Sequence, residues 1–160
     1  YTPGHTKTDI TYILYHTTKK QNFLDNTNLG WSLFTGDLLF SAGCGKFFEG
    51  EPKTMYQSLN AIRYLHSVTL STIVERPELT KQICDENTLI WPGHEYTTSN
   101  LRFVSSIDNR TIITETLEWA QSQRSDFHPT IPSTLAKELI INPFLRCDDP
   151  TYTSLLSKSQ

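Results

Sequence analysis

Three polar residues, each preceded by a glycine, stand where short β-like runs meet turns: His5 after Gly4, Asp37 after Gly36 and His94 after Gly93. Two imidazoles and a carboxylate suit zinc and similar divalent cations, and a carboxylate can bridge two of them. The neighbouring glycine lets the backbone turn sharply, so that the donor can point into a shared site. Taken singly, each histidine is more often a hydrogen-bonded surface or core residue, and a Gly-Asp pair is commoner still as plain turn chemistry. The gaps between the three are wide and form no compact motif. Spacing alone leaves both readings open.

Positioning such residues requires strands that end together. Residues 9–16 (DITYILYH), 31–35, 38–40 and 88–91 are rich in β-branched and aromatic side chains and read as strands. Residues 19–30, with Asp25, Asn26, Asn28 and Gly30, read as a polar hairpin loop. Gly43-Cys44-Gly45 reads as a loop, since two glycines in three residues favour neither helix nor strand. From Pro52 the period changes: Met55, Leu59, Ile62 and Leu65 fall on one face of a helix. Further helices are expected over 100–107 and 112–123, with Asp108, Asn109 and Thr111 supplying capping chemistry between them. Pro129, Pro132 and Pro143 punctuate a short amphipathic stretch ending at Ile141. Strands first and helices afterwards predict an α+β chain, or half of a layered sandwich.

The chain has 160 residues, a length that suits one domain with its own core. With 14 basic and 17 acidic side chains its net charge is −3, which disfavours a nucleic-acid binder that works through a basic face. No apolar run approaches the length of a membrane-spanning helix. Cys44, Cys84 and Cys147 are an odd number without CxxC spacing, and they fit a reducing compartment rather than a disulfide framework. A cytoplasmic protein is therefore expected, with a mitochondrial one as the alternative. The opening Tyr-Thr-Pro-Gly-His has no initiator methionine and begins in mid-motif, so the chain is expected to be a fragment.

Seven blocks then set these residues in a pattern. Thr2-Pro3-Gly4-His5-Thr6, Phe34-Thr35-Gly36-Asp37, Gly43-Cys44-Gly45-Lys46-Phe47-Phe48-Glu49-Gly50 and Gly93-His94-Glu95-Tyr96-Thr97 occur in that order. Asn100-Leu101-Arg102-Phe103, Ile131-Pro132-Ser133-Thr134 and Asn142-Pro143-Phe144-Leu145-Arg146 follow. Together they resemble glyoxalase II, the hydroxyacylglutathione hydrolases of the metallo-β-lactamase superfamily, and Lys7-Thr8-Asp9 looks most like fungal members.

The resemblance implies an αββα sandwich, with residues 1–95 as its C-terminal half and 96–160 as a truncated helical region that binds the glutathione thioester. It implies two divalent metals, zinc first, with iron or manganese also suited to mixed nitrogen and oxygen donors. His5 would serve the first metal and His94 the second. Asp37 would bridge them and act in catalysis through the water they activate. The reaction implied is hydrolysis of S-D-lactoylglutathione to glutathione and D-lactate. Lys46, Phe48 and Tyr96 match substrate contacts, although Phe48 stands where several members have tyrosine. The expected partner is a small glutathione thioester, with no nucleic acid and no membrane, and the protein is expected to be a monomer.

The family's Thr-His-x-His-x-Asp-His run does not occur in the sequence, so the chain alone is expected to bind zinc poorly and to hydrolyse thioester negligibly. Its end likewise stops short of the basic helix that the resemblance leads one to expect. His16, His66 and His128 match no ligand position, and Cys44 is expected to have no nucleophilic role. Two alternatives accompany this reading: a mononuclear iron persulfide dioxygenase of the same superfamily, and a non-catalytic truncated remnant.

Overall fold

The computed structural model describes residues 1–15, 31–65 and 88–156. Its strands are β1 (Tyr12–Tyr15), β2 (Trp31–Gly36), β3 (Leu39–Phe40), β4 (Gly43–Cys44), β5 (Thr88–Pro92) and β6 (Ser133–Thr134). Four of them form one sheet in the order β1-β2-β5-β6, while β3 and β4 form a separate hairpin. β1 and β2 are antiparallel, β2 and β5 parallel, β5 and β6 antiparallel. Parallel neighbours cannot be joined by a tight turn, and the β3–β4 hairpin and helix α1 (Pro52–Arg63) lie in the connection between β2 and β5.

Alternation sets which side chains the sheet buries. In β2, Trp31, Leu33 and Thr35 face inward. Helix α1 covers that face. Proline opens its first turn, where a missing N–H removes no helical bond, and Met55, Leu59 and Ile62 are buried at the expected spacing. With Leu38, Leu39, Leu65 and Ile90 they form one core. Withdrawing each such side chain from water contributes about 1.5–3 kcal/mol.

The other face of the sheet is open and apolar. The register sets Tyr12 opposite Phe34 and Phe34 opposite Trp91, and the Phe34 and Trp91 rings stack 6.1 Å apart. Tyr12 and Leu14 keep 66% and 62% of their surface exposed.

Helices α2 (Thr97–Ile107) and α3 (Thr111–Ser125) pack on each other through Leu101, Val104, Ile113 and Ala120. A cis Ile131–Pro132 peptide precedes β6, and α4 (Leu135–Ile141), a 3-10 turn (Pro143–Leu145) and α5 (Pro150–Leu156) complete the tail. Sheet and tail interlock. Ala42 and Ile141 sit in the helical cluster, while Leu135 and Leu145 sit in the core under the sheet. Among the described residues no helix is long and apolar enough to cross a membrane.

The α+β content and the helical tail agree with the sequence expectation. Two local readings change. Gly43 and Cys44 are a strand, because Phe40 and Leu39 pair with them across a tight turn; tertiary pairing overrides weak propensity. Between α2 and α3, Asp108 does not cap in the usual way but takes the Arg110 N–H at 3.1 Å and its guanidinium at 2.7–3.0 Å. The N-cap of α3 is Arg110. The expected loop at 19–30, together with His16, His66 and Cys84, lies outside the described residues.

Candidate functional site

Asp37 follows β2 and His94 follows β5, so two parallel neighbours deliver both to the same end of the sheet. The carboxyl ends of parallel strands are where open α/β sheets gather ligands. Gly36 turns the chain there with φ +53°, and the Gly93 N–H donates to the Gly36 carbonyl at 2.8 Å. A Cβ on Gly93 would strike Asp37 Oδ1. His5 comes from the loop before β1. Its loop is closed by Thr2 N–H to the Asp9 carbonyl at 2.8 Å and by Thr6 N–H to Asp9 Oδ2 at 2.7 Å. Ser58 of α1 donates to the Pro3 carbonyl at 2.6 Å, which pins the loop to the helix.

His5 Nε2 and His94 Nε2 both lie 3.4 Å from the same atom, Asp37 Oδ2. The His5 Nδ1 stands 2.8 Å from the Lys46 carbonyl. A carbonyl only accepts, so Nδ1 carries the proton and the Nε2 of a neutral ring turns its lone pair to the carboxylate. A lone pair facing an anionic oxygen asks for a cation or a proton between them. Two donors on one tetrahedral cation, each about 2.0–2.1 Å from it, stand about 3.4 Å apart. The donor chemistry therefore fits a carboxylate shared by two cations, one imidazole to each. The number of donors is small: among the described residues no group of three or more His, Cys, Asp and Glu side chains closes on one point.

The remaining expected residues flank this centre. The Phe48 ring meets His5 edge-on at 5.0 Å, and the Lys46 ammonium lies 5.3 Å from the same phenyl ring. Tyr96 stacks on His94 at 5.3 Å. His5, Asp37, His94, Lys46, Phe48 and Tyr96 thus gather around one place, with the Lys46–Phe48 pair beside one imidazole and Tyr96 beside the other. Phe48 and Tyr96 are 66% and 48% exposed, so both present aromatic surface to solvent beside the centre.

Three residues went unsuspected from sequence. Phe40, buried, sets its ring edge-on to His94 at 6.2 Å and to Tyr96 at 5.4 Å. Glu95 turns away from the centre and accepts from Thr130 N–H and Oγ1 at 2.8 and 2.7 Å. Burial would raise its pKa, but these bonds and Arg124 hold its carboxyl below the usual range. Glu138 lies beneath the hairpin. None had a periodic or motif signal of its own; Glu95 merely sat inside a quoted block. Burial, with Cys147 nearby, pushes the Cys44 thiol up to about 12. It stays protonated at neutral pH, the opposite of a nucleophilic cysteine. His128 closes the end of α3 through its backbone N–H to Gln123 at 2.8 Å.

Residues 95–160 match the family model described as "Hydroxyacylglutathione hydrolase C-terminus". Over 94% of its length the chain is 43% identical to the cytoplasmic hydroxyacylglutathione hydrolase of Arabidopsis thaliana, covering 48% of that protein. It is 36% identical, again over 94% of its length, to the hydroxyacylglutathione hydrolase of a Nostoc species, covering 49% of it. The chain spans about half the length of the curated relatives it matches. A metallo-β-lactamase from Staphylococcus aureus shares 21% identity with a TM-score of 0.48, over 98% of this chain and 31% of that one.

Proposed function

We propose, from the chain's sequence relationship to the hydroxyacylglutathione hydrolases, that it forms the bridging-carboxylate and tail half of a metal-dependent thioester hydrolase. The observation that carries this reading is the convergence of two imidazole nitrogens on one Asp37 oxygen. The substrate is a glutathione thioester, S-D-lactoylglutathione, and the products are glutathione and D-lactate. Two divalent cations, zinc first and iron or manganese as alternatives, would supply Lewis acidity toward the thioester carbonyl and a water of lowered pKa.

This chain's residues do the holding. Asp37 faces both imidazoles, and the Lys46 carbonyl fixes the His5 tautomer so that Nε2 is the free donor. The Lys46 ammonium offers a charge-assisted contact to a carboxylate of the tripeptide. Phe48 and Tyr96 bracket the thioester from the two flanks. A thiolate leaves readily and needs little help from a general acid.

Each cation would receive one histidine and a share of Asp37 from this chain, whereas stable sites use three or four ligands. We assign the remaining donors to the half of the relatives' length that the chain does not span. An antibody raised against residues 97–125 tests this on the endogenous protein. The expected result is a polypeptide of about twice this mass, with two divalent cations bound and thioesterase activity toward S-D-lactoylglutathione. An endogenous protein that holds no divalent metal, or that leaves the thioester intact, would overturn the proposal.

A further inference from the structure

The turn that joins β3 to β4 is held from far downstream. Glu138 of α4 is fully buried and accepts from Ser41 Oγ at 2.9 Å and from the Ala42 N–H at 2.8 Å. Asn142 Nδ2 donates to the Phe40 carbonyl at 3.1 Å, the Gly43 carbonyl at 3.0 Å and Glu138 Oε2 at 3.2 Å. Asn100 Nδ2 adds a bond to the Ser41 carbonyl at 3.0 Å. Ala42 has φ +55°, a left-handed conformation that a residue with a Cβ keeps only when its surroundings impose it. The network supplies that support.

Each arm leaving the turn reaches one imidazole. On the β3 side, Phe40 presents its ring to His94 and Tyr96. On the β4 side, the Gly45 N–H bonds the Leu38 carbonyl at 3.3 Å, and the next residue's carbonyl takes His5 Nδ1. We propose that Glu138, with Asn142, is a positioning residue of the candidate centre: by fixing the β3–β4 turn it sets Phe40 and the Lys46 carbonyl, and through them the orientation of His94 and His5 toward Asp37. The proposal rests on reading these three residues as the centre's donors. An apolar side chain of similar size would fill the space of Glu138 and leave the Ala42 N–H without its acceptor, a defect that volume does not repair.

The test uses the endogenous-length protein freed of metal, its imidazole nitrogen spectra by NMR, and solvent exchange of the Gly45 amide. Glu138→Gln keeps an oxygen for Ala42 and Asn142 and an NH2 that Ser41 Oγ can accept. It is expected to hold the wild-type His5 tautomer pattern, with exchange within about twofold. Glu138→Leu is expected to mix the His5 tautomers and to speed Gly45 exchange at least about tenfold. Leu65→Ala, a core truncation just beyond the C-terminal end of α1, controls for general loss of stability and should leave the His5 pattern intact. If Glu138→Leu does not fold, Ser41→Ala, a milder cut at the same node, carries the test with a smaller shift in the same direction. A Glu138→Leu or Ser41→Ala protein with the wild-type His5 pattern overturns the proposal. So does a Gln variant that behaves like Leu, or a Leu65→Ala control that reproduces the effect. Failure of the endogenous protein to bind divalent cations would remove the metal reading alone, since the imidazole spectra are taken without metal.

Discussion

His5 and His94 present the same ring nitrogen to the same carboxylate oxygen at the same 3.4 Å, but they are held by different physics. The His5 side chain is 17% exposed and has a directional bond from Nδ1 to the Lys46 carbonyl. His94 is 54% exposed and is oriented by shape, with Tyr96 stacked on one side and Phe40 edge-on. A hydrogen bond fixes a tautomer as well as a direction, whereas ring contacts fix only the plane. The difference teaches that the two donors should fail separately, and that a perturbation reaching both must pass through Asp37 or the hairpin.

The largest expected effect comes from Gly45→Ala. A Cβ there would collide with the Asp37 carbonyl and crowd His5 Nδ1. Because the obstacle is backbone, a cost of about 3 kcal/mol or more in urea unfolding is expected, with the His5 signals displaced further than those of His94. An unchanged unfolding midpoint would break the comparison at its base. Next comes Asp37→Asn, which removes the charge both imidazoles share. Calorimetric titration of the endogenous-length protein with zinc should show affinity lower by more than about 100-fold, and equal affinity would remove Asp37 from the centre.

Phe40→Leu sharpens the comparison from the His94 side. It keeps most of the buried volume but loses the ring contacts, at an expected cost of about 1 kcal/mol. The imidazole spectrum of His94 should move while that of His5 stays. Movement of both would show that Phe40 serves the whole centre. The smallest effect concerns pH. Burial raises the folded-state pKa of Glu138 above its ordinary 4.5, although the bonds from Ala42, Ser41 and Asn142 pull the other way. A group raised in the folded state contributes stability that is fully present below its unfolded value and is lost as pH rises through the folded one. Wild-type protein should therefore lose stability with rising pH above about 4.5 relative to Glu138→Gln, in paired urea midpoints. Parallel pH profiles would contradict the direction.

How much of this was legible in the sequence depended on the range of the contacts involved. The alternation of β2, the helical period of Met55, Leu59 and Ile62, and the glycine beside each donor are local signals, and the structure agrees with them. The start of α2 at Thr97 falls three residues before the apolar period suggested, because capping and turn geometry set helix ends. Gly43 and Cys44 read as a loop because nothing in their types announces the pairing with β3. Alternation also could not say which face of β1 and β2 is covered, since Tyr12, Leu14 and Phe34 are as apolar as the side chains beneath α1. Glu138 and Asn142 were least legible of all. They meet the hairpin at sequence separations of 96 to 102 residues, where no periodicity reaches.

Those separations also impose an order in time. A ribosome delivers His5, Asp37 and His94 well before it delivers Glu138, so a growing chain holds all three donors while the residues that fix the Ala42 turn are still unmade. Domains form as units during synthesis, and contacts distant in sequence close last. The two imidazoles therefore take their final aim only after α4 has emerged and docked. A nascent chain interrupted between residues 95 and 138 would carry His5, Asp37 and His94 without the bonds that fix the Ala42 turn.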